Sequence, residues 1–86
     1  MTRIVIKKLV WDEFNVKHAT THGVSIDEII EAIKQLEYHR HTYKQRYLVV
    51  CRGIERFITI VVVRKLLNTY YVVSARPASK KESKNI

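Results

Sequence analysis

The stretch from Tyr47 to Ala75 constrains the fold most, because it contains three β-rich runs separated by short turns. The runs lie at residues 47–51, 55–64 and 69–75. Each is rich in β-branched or aromatic side chains, which favour strands. Residues 52–53 and 65–68 are the predicted turns. Consecutive strands joined by such short connections pair antiparallel, so the pattern predicts a meander.

Two helices are predicted ahead of these strands. Asp12 can cap a helix over residues 13–22, which would end at Gly23, a residue suited to a left-handed C-terminal cap. Ser25 and Glu28 have the spacing of a capping box, which starts the second helix. That helix carries an apolar stripe at i, i+3, i+4 and i+7, formed by Ile26, Ile29, Ile30 and Ile33.

The order of these elements predicts the α+β class. Residues 4–10 form a short strand or an extended entry segment, and residues 38–43 form a possible edge strand. Two N-terminal helices, the second ending near residue 36 or 37, then pack on an antiparallel sheet of three to four strands. We expect one domain over residues 1–78 and a basic C-terminal helix or tail over residues 79–86.

Charge indicates the kind of partner. The chain has 16 Lys and Arg against 8 Asp and Glu, a formal net charge of +8, which attracts nucleic acids or acidic proteins. The single cysteine, Cys51, has no intramolecular partner and is expected to be an inert core residue in a reducing compartment. The longest apolar run, at residues 58–63, is too short to span a bilayer. We therefore expect a cytoplasmic protein without membrane contact.

The strand pairing predicts where cations converge. A hairpin with a loop at residues 65–67 places Arg56 opposite Arg76. Two opposed arginines repel each other unless both bind an anion, and their planar guanidinium groups suit a phosphate. We therefore expect a phosphate site at this end of the sheet, with Arg52 from the preceding turn beside it.

Other arrangements of these side chains stay open. Both arginines are alternatively exposed, splayed, or paired with Glu55 and Glu28. A change of one residue in the loop also shifts the register. Glu28 itself is either a helix-capping residue or a general base whose pKa is raised by burial and by its neighbours.

Four short motifs occur along the chain in a characteristic order. They are Trp11-Asp12-Glu13, His22-Gly23-Val24-Ser25, Arg56-Phe57 and Val73-Ser74-Ala75-Arg76. Together they resemble the BrnT family, the toxins of bacterial and archaeal toxin–antitoxin pairs. The resemblance implies a RelE-like fold, metal-independent cleavage of RNA, and neutralisation by a cognate antitoxin encoded nearby. Thr21 departs from the family, which usually has a lysine or arginine before this histidine.

Cleavage of RNA without a metal needs a base for the 2′-hydroxyl, an acid for the departing 5′-oxygen and cations for the phosphorane. On this hypothesis Arg56 and Arg76 are the cations, and His22 and Glu28 exchange the protons. No cofactor is expected. The alternative for His22 is a structural role at the C-terminal dipole of the first helix.

Further contacts with RNA are expected from Arg52, Tyr47, Lys80 and Lys81. Tyr47 ends a stretch of aromatic and basic residues whose rings could stack on bases, although half-buried strand tyrosines look the same in sequence. His18 and His22 share a predicted helical face, but no third ligand at convincing spacing completes a metal site. The alternative function is a non-catalytic module that binds nucleic acid or an acidic protein partner.

Overall fold

The structure is a computed structural model that describes residues 5–53 and 56–80. Two helices and five strands follow in the order β1 (Lys8–Val10), α1 (Glu13–Ala19), α2 (Ile26–Ile33), β2 (Leu36–Tyr43), β3 (Arg46–Arg52), β4 (Phe57–Leu66) and β5 (Thr69–Pro77). The strands form one sheet in the order β1-β5-β4-β3-β2. The α+β class and the helices-before-strands order are confirmed.

The sheet is larger than predicted, and it is mixed. The strand β1 pairs parallel with β5, with Leu9 beside Tyr70, while the other neighbours pair antiparallel. The edge strand expected at residues 38–43 is present and begins earlier, at Leu36. The prediction of three to four antiparallel strands was therefore wrong, because the pairing between β1 and β5 links distant parts of the chain and has no local signature.

The helix α1 is held by its N-terminal cap. The Asp12 carboxylate accepts hydrogen bonds from the backbone N–H groups of Phe14 and Asn15, both at 2.9 Å, and the Asn15 side chain accepts one from the Asp12 backbone at 2.6 Å. The helix ends at Ala19, before the predicted residue 22. Beyond it the hydroxyls of Thr20 and Thr21 donate to backbone carbonyls within the last turn. Such side-chain bonds compete with the backbone hydrogen bonds of a helix and are common where a helix ends.

The helix α2 begins at its predicted cap. The Ser25 hydroxyl accepts a hydrogen bond from the Glu28 backbone N–H at 3.1 Å. The helix ends at Ile33, earlier than expected, with Lys34 as the C-terminal cap. Of the predicted stripe, Ile29 is fully buried, while Ile30 is 37% exposed.

One hydrophobic core lies between the helices and the sheet. The helical layer contributes Ala19, Val24, Ile29 and Ala32, and the sheet contributes Val49, Cys51, Ile58, Ile60, Val62, Tyr70, Val72 and Ala75. Burial of Cys51 confirms the predicted core position. Within the described ranges, no helix is a candidate for crossing a membrane.

Strand side chains alternate between two faces, so the residues between the core positions point away from α1 and α2. We call this side the helix-distal face. It carries Arg46, Leu48, Val50 and Arg52 from β3, Phe57, Thr59, Val61 and Val63 from β4, and Tyr71, Ser74 and Arg76 from β5. Val50 and Thr59 are buried, whereas Arg46, Arg52 and Arg76 are exposed.

The hairpin between β4 and β5 has a two-residue turn, with Leu66 opposite Thr69 and Asn68 in the left-handed region at φ 61°. A bulge between Val61 and Val62 shifts the register again further along. As a result Arg76 lies opposite Thr59. The predicted loop at residues 65–67, and with it the pairing of Arg56 with Arg76, was wrong.

Candidate functional site

Arg56 joins the start of β4 to the start of α2. Its Nε donates to Glu28 Oε2 at 3.0 Å, and its Nη2 donates to Glu28 Oε1 at 3.1 Å and to the Gly23 carbonyl at 2.9 Å. Gly23 has a φ of 80°, which glycine adopts without strain. Of the arrangements that the sequence left open, the ion pair between Arg56 and Glu28 is the one observed.

This ion pair determines the protonation of Glu28. The hydrogen bonds from Arg56 lower the pKa of the Glu28 carboxyl below its ordinary value, with electrostatic attraction to the same guanidinium and a bond from the Ser25 amide acting in the same direction. Burial acts in the opposite direction and does not prevail. Of the two roles that the sequence left open for Glu28, the lowered pKa favours the structural one over the general base. A carboxylate held in this way is a weak base near neutral pH.

His22 lies in the loop between the two helices. It is exposed and directly precedes Gly23, whose carbonyl binds Arg56. The sequence had predicted that His18 and His22 share a helical face. Because α1 ends at Ala19, His22 lies outside the helix and the prediction was wrong. Within residues 5–53 and 56–80, no three His, Cys, Asp or Glu side chains gather into a potential metal site.

Arg76 lies on the opposite side of the sheet from the Arg56 ion pair. It projects from β5 on the helix-distal face, beside the buried Thr59 of β4, whereas Arg56 reaches α2 on the other face. A phosphate shared by Arg56 and Arg76 is therefore not supported. The cause is the register between β4 and β5, which pairs Arg76 with Thr59 instead of Arg56. Thr59 is three residues further along the chain than Arg56, and an odd number of residues along a strand changes the face.

A different pair of arginines shares the face with Arg76. Arg52 was predicted to lie in the turn after β3. It is instead the last residue of β3 and lies opposite Phe57 of β4. Its guanidinium lies 5.3 Å from the centre of the Phe57 ring, and its Nε is 3.5 Å from Glu37 Oε1. Arg52 and Arg76 thus flank β4 on the helix-distal face, two strands apart and offset by two residues along β4, so their backbones are separated by about 12 Å. Two extended arginine side chains can meet over such a gap.

The remaining predicted RNA contacts are dispersed. Tyr47 projects to the helix side, packs against the core, and meets the rings of His41 and Tyr70 edge-on with centroids 5.1 and 6.1 Å apart. It is therefore not on the face of Arg76. Lys80 is exposed and has helical backbone, while Lys81 and the rest of the predicted C-terminal segment lie outside the described residues.

Sequence reasoning missed several cations of the helix-distal face. Arg40 of β2, Arg46 of β3 and Lys65 of β4 point to this face by strand alternation. The signal was present in the period-two spacing of residues 46, 48, 50 and 52, which places two arginines on one side of a strand. The helix-distal face therefore carries cations along its length.

Comparison with known proteins finds no matching family model, no similar curated protein and no similar solved structure.

Proposed function

We propose that this chain binds RNA on the helix-distal face and cleaves it without a metal ion, as a RelE-like toxin similar to the BrnT family. The observation that carries the proposal is the presence of Arg52 and Arg76 on one face, flanking β4. Guanidinium groups at this spacing suit a phosphodiester, since each offers paired N–H donors to its oxygens. The net charge of +8 supports a polyanionic substrate.

In the proposed reaction Arg76 and Arg52 stabilise the charge that develops on the phosphorane. His22 lies next to the Gly23 carbonyl that Arg56 binds, across the sheet from Arg76, and is therefore not assigned to the proton transfers at this phosphodiester. Arg56 has a structural role, since it ties the Gly23 carbonyl and Glu28 to the start of β4. The role first assigned to Glu28 changes accordingly: its carboxylate anchors Arg56.

The test is cleavage of a mixed-sequence RNA by the purified full chain in EDTA. We expect Arg76→Gln to abolish cleavage and Lys17→Gln, which removes one positive charge from the exposed side of α1, to leave it unchanged. His22→Gln should leave cleavage unchanged, because His22 lies across the sheet from Arg76. Folded wild-type protein that leaves RNA intact would refute the enzymatic proposal.

A second candidate function is RNA binding without cleavage. It is favoured by the lowered pKa of Glu28, which removes the predicted carboxylate base, and by Thr21 in place of the basic residue typical of the family. Salt-dependent binding that is lost in Arg76→Gln, with no turnover in the wild type, would select this alternative.

The partner that the proposal implies is an antitoxin encoded beside the toxin, with both proteins in the cytoplasm. Expression of the chain alone should arrest growth, and co-expression with the product of the adjacent gene should restore it. Co-purification of the two proteins would identify the antitoxin. Growth unaffected by expression of the folded chain would contradict the role as a toxin.

A further inference from the structure

A groove of about 770 Å³ lies on the helix-distal face at the end of the sheet away from Arg76. Its lining includes Tyr43, Arg46, Val63, Lys65, Tyr71 and Val73. We call it the hairpin groove, since it lies beside the turns that join β2 to β3 and β4 to β5. None of its lining residues is acidic.

A single cross-strand row forms the frame of the hairpin groove. Tyr43 lies opposite Arg46, Arg46 opposite Val63, and Val63 opposite Tyr71. The row crosses four strands, so the backbones of the two tyrosines are separated by about 14 Å, three strand spacings. An arginine and an apolar valine lie between the two rings.

The two rings differ in their surroundings. Tyr71 is fixed, because its hydroxyl donates to the Asp12 carboxylate, with both oxygens at 3.1 Å. Tyr43 is 55% exposed at the end of β2. One ring of the hairpin groove is therefore anchored through its hydroxyl, and the other presents much of its surface to solvent.

Lysines already occupy positions over both rings. Lys65 Nζ lies 5.5 Å from the centre of the Tyr71 ring, and Lys44 Nζ lies 5.3 Å from the centre of the Tyr43 ring. Long, exposed lysine stems can turn to a phosphate and release the ring face to a planar group. The hairpin groove thus offers two stacking surfaces with a cation beside each.

We propose that the hairpin groove binds single-stranded RNA, with one base stacked on Tyr43, another on Tyr71, and the phosphates held by Lys44, Arg46 and Lys65. The identity of the strand as RNA rests on the proposed function. An acidic peptide would satisfy the cations but would leave the ring faces unused, whereas unpaired bases use both. The hairpin groove would then hold the strand on the same face as Arg52 and Arg76, toward the opposite end of the sheet.

The experiment measures fluorescence anisotropy of a labelled, unstructured 2′-O-methyl oligoribonucleotide with the full chain. This probe lacks the attacking hydroxyl, so binding is measured without turnover. Tyr43→Ala should weaken binding about tenfold, whereas Tyr43→Trp should retain it, because only the second variant keeps a stacking surface. Tyr43 is exposed, and circular dichroism checks that both variants fold.

The charge contacts are tested with the salt dependence of the same binding. Lys65→Gln should reduce the slope of log affinity against log salt by about 0.7, the value for one phosphate contact on a single strand. The matched control is Lys17→Gln, which removes the same charge from α1 and should leave the slope unchanged.

Equal affinities of the wild type and Tyr43→Ala would overturn the proposal. Displacement of the oligonucleotide by a polyglutamate peptide that binds equally to the wild type and Tyr43→Ala would assign the groove to an acidic protein instead. Groove-dependent binding without RNA cleavage would contradict the nuclease proposal alone. Cleavage of RNA with no effect of Tyr43→Ala on binding would contradict the hairpin groove alone.

Discussion

Arg56 donates hydrogen bonds to both carboxylate oxygens of Glu28, at 3.0 and 3.1 Å. The side chains are 40% and 20% exposed, so solvent screens the pair only partly. With its additional bond to the Gly23 carbonyl, Arg56 connects the first residues of α2, the loop before it and the entry to β4. The ion pair therefore couples the helical layer to the sheet, on the side opposite to Arg76.

The first prediction concerns the strength of this ion pair. A double-mutant cycle with Glu28→Gln and Arg56→Gln should give a coupling of about 1 kcal/mol, at the upper end for partly exposed pairs. Urea unfolding measures the four free energies. The control is the pair of Lys34 and Glu31, whose exposed side chains lie 3.2 Å apart within one helix and should couple by about 0.3 kcal/mol. Equal coupling of the two pairs would contradict the prediction.

The second prediction is the acid dependence of stability. The folded-state pKa of Glu28 lies below its ordinary value of 4.5 because Arg56 binds the carboxylate. The unfolded chain therefore takes up the proton first, and the stability from this group is complete above that value and is lost as the pH falls through the lowered pKa. Glu28→Gln should flatten the loss of unfolding free energy below pH 4.5.

Asp12 contributes to the same acid window and provides an internal comparison. Hydrogen bonds, foremost that from the Asn15 backbone, lower its pKa from 3.8. Asp12→Asn keeps an effective helix cap while removing the titration. Each variant should remove part of the acid dependence, and the double variant more than either. An unchanged pH profile in Glu28→Gln would show that the ion pair does not persist in solution.

The third prediction concerns Asn15, which is 2% exposed. Its side-chain amide donates to the Val10 carbonyl at 2.7 Å, and its oxygen accepts from the Asp12 backbone. Asn15→Ala should cost about 2 kcal/mol, because it leaves two partly buried backbone groups, the Val10 carbonyl and the Asp12 N–H, without their side-chain partner. Thermal and urea unfolding measure the loss. Lys17→Ala in the same helix is exposed and should change stability by less than about 0.5 kcal/mol.

The fourth prediction concerns Cys51, which is fully buried in β3. Burial, with a smaller contribution from the negative charge of Glu37, raises the pKa of its thiol to about 12. At pH 8 the group is therefore protonated and enclosed, so a disulfide reagent should label it only after unfolding. Stoichiometric labelling of the folded protein within seconds would contradict this assignment.

The fifth prediction compares the two glycines. A Cβ on Gly53 would lie 2.7 Å from the Arg56 backbone oxygen, so Gly53→Ala forces the chain apart and should cost about 2 kcal/mol. A Cβ on Gly23 meets nothing within 4 Å, and Gly23→Ala bears only the strain of its φ of 80°, about 1 kcal/mol. A larger loss in Gly23→Ala, measured by urea unfolding, would reverse this order.

Local signals identified much of the secondary structure. The caps at Asp12 and Ser25 and the apolar position of Ile29 follow from neighbouring residues and were predictable. The strand runs were found for the same reason. The early end of α1 was not predictable. There the hydroxyls of Thr20 and Thr21 donate to backbone carbonyls of the last turn and so compete with continuation of the helix.

The candidate site depends on register, which local sequence specifies poorly. The left-handed Asn68 and the bulge at Val61 and Val62 together moved Arg76 away from the position predicted opposite Arg56. Both features are small, yet pleating turns any odd shift into a change of face. The bond from Arg56 to Gly23 crosses 33 residues, a contact that spacing alone does not reveal.

The parallel pairing of β1 with β5 has a consequence for biosynthesis. The backbone N–H groups of Lys7 and Lys8 both donate to the Asn68 carbonyl, at 2.9 and 3.0 Å, and β5 separates β1 from the rest of the sheet. On a ribosome the first strand emerges early, but its neighbour is made only after the five intervening elements, two helices and three strands, have been translated. Such long-range closure is slow. The nascent chain therefore cannot complete its sheet until β5, which ends at Pro77, has been translated and has emerged from the ribosomal exit tunnel.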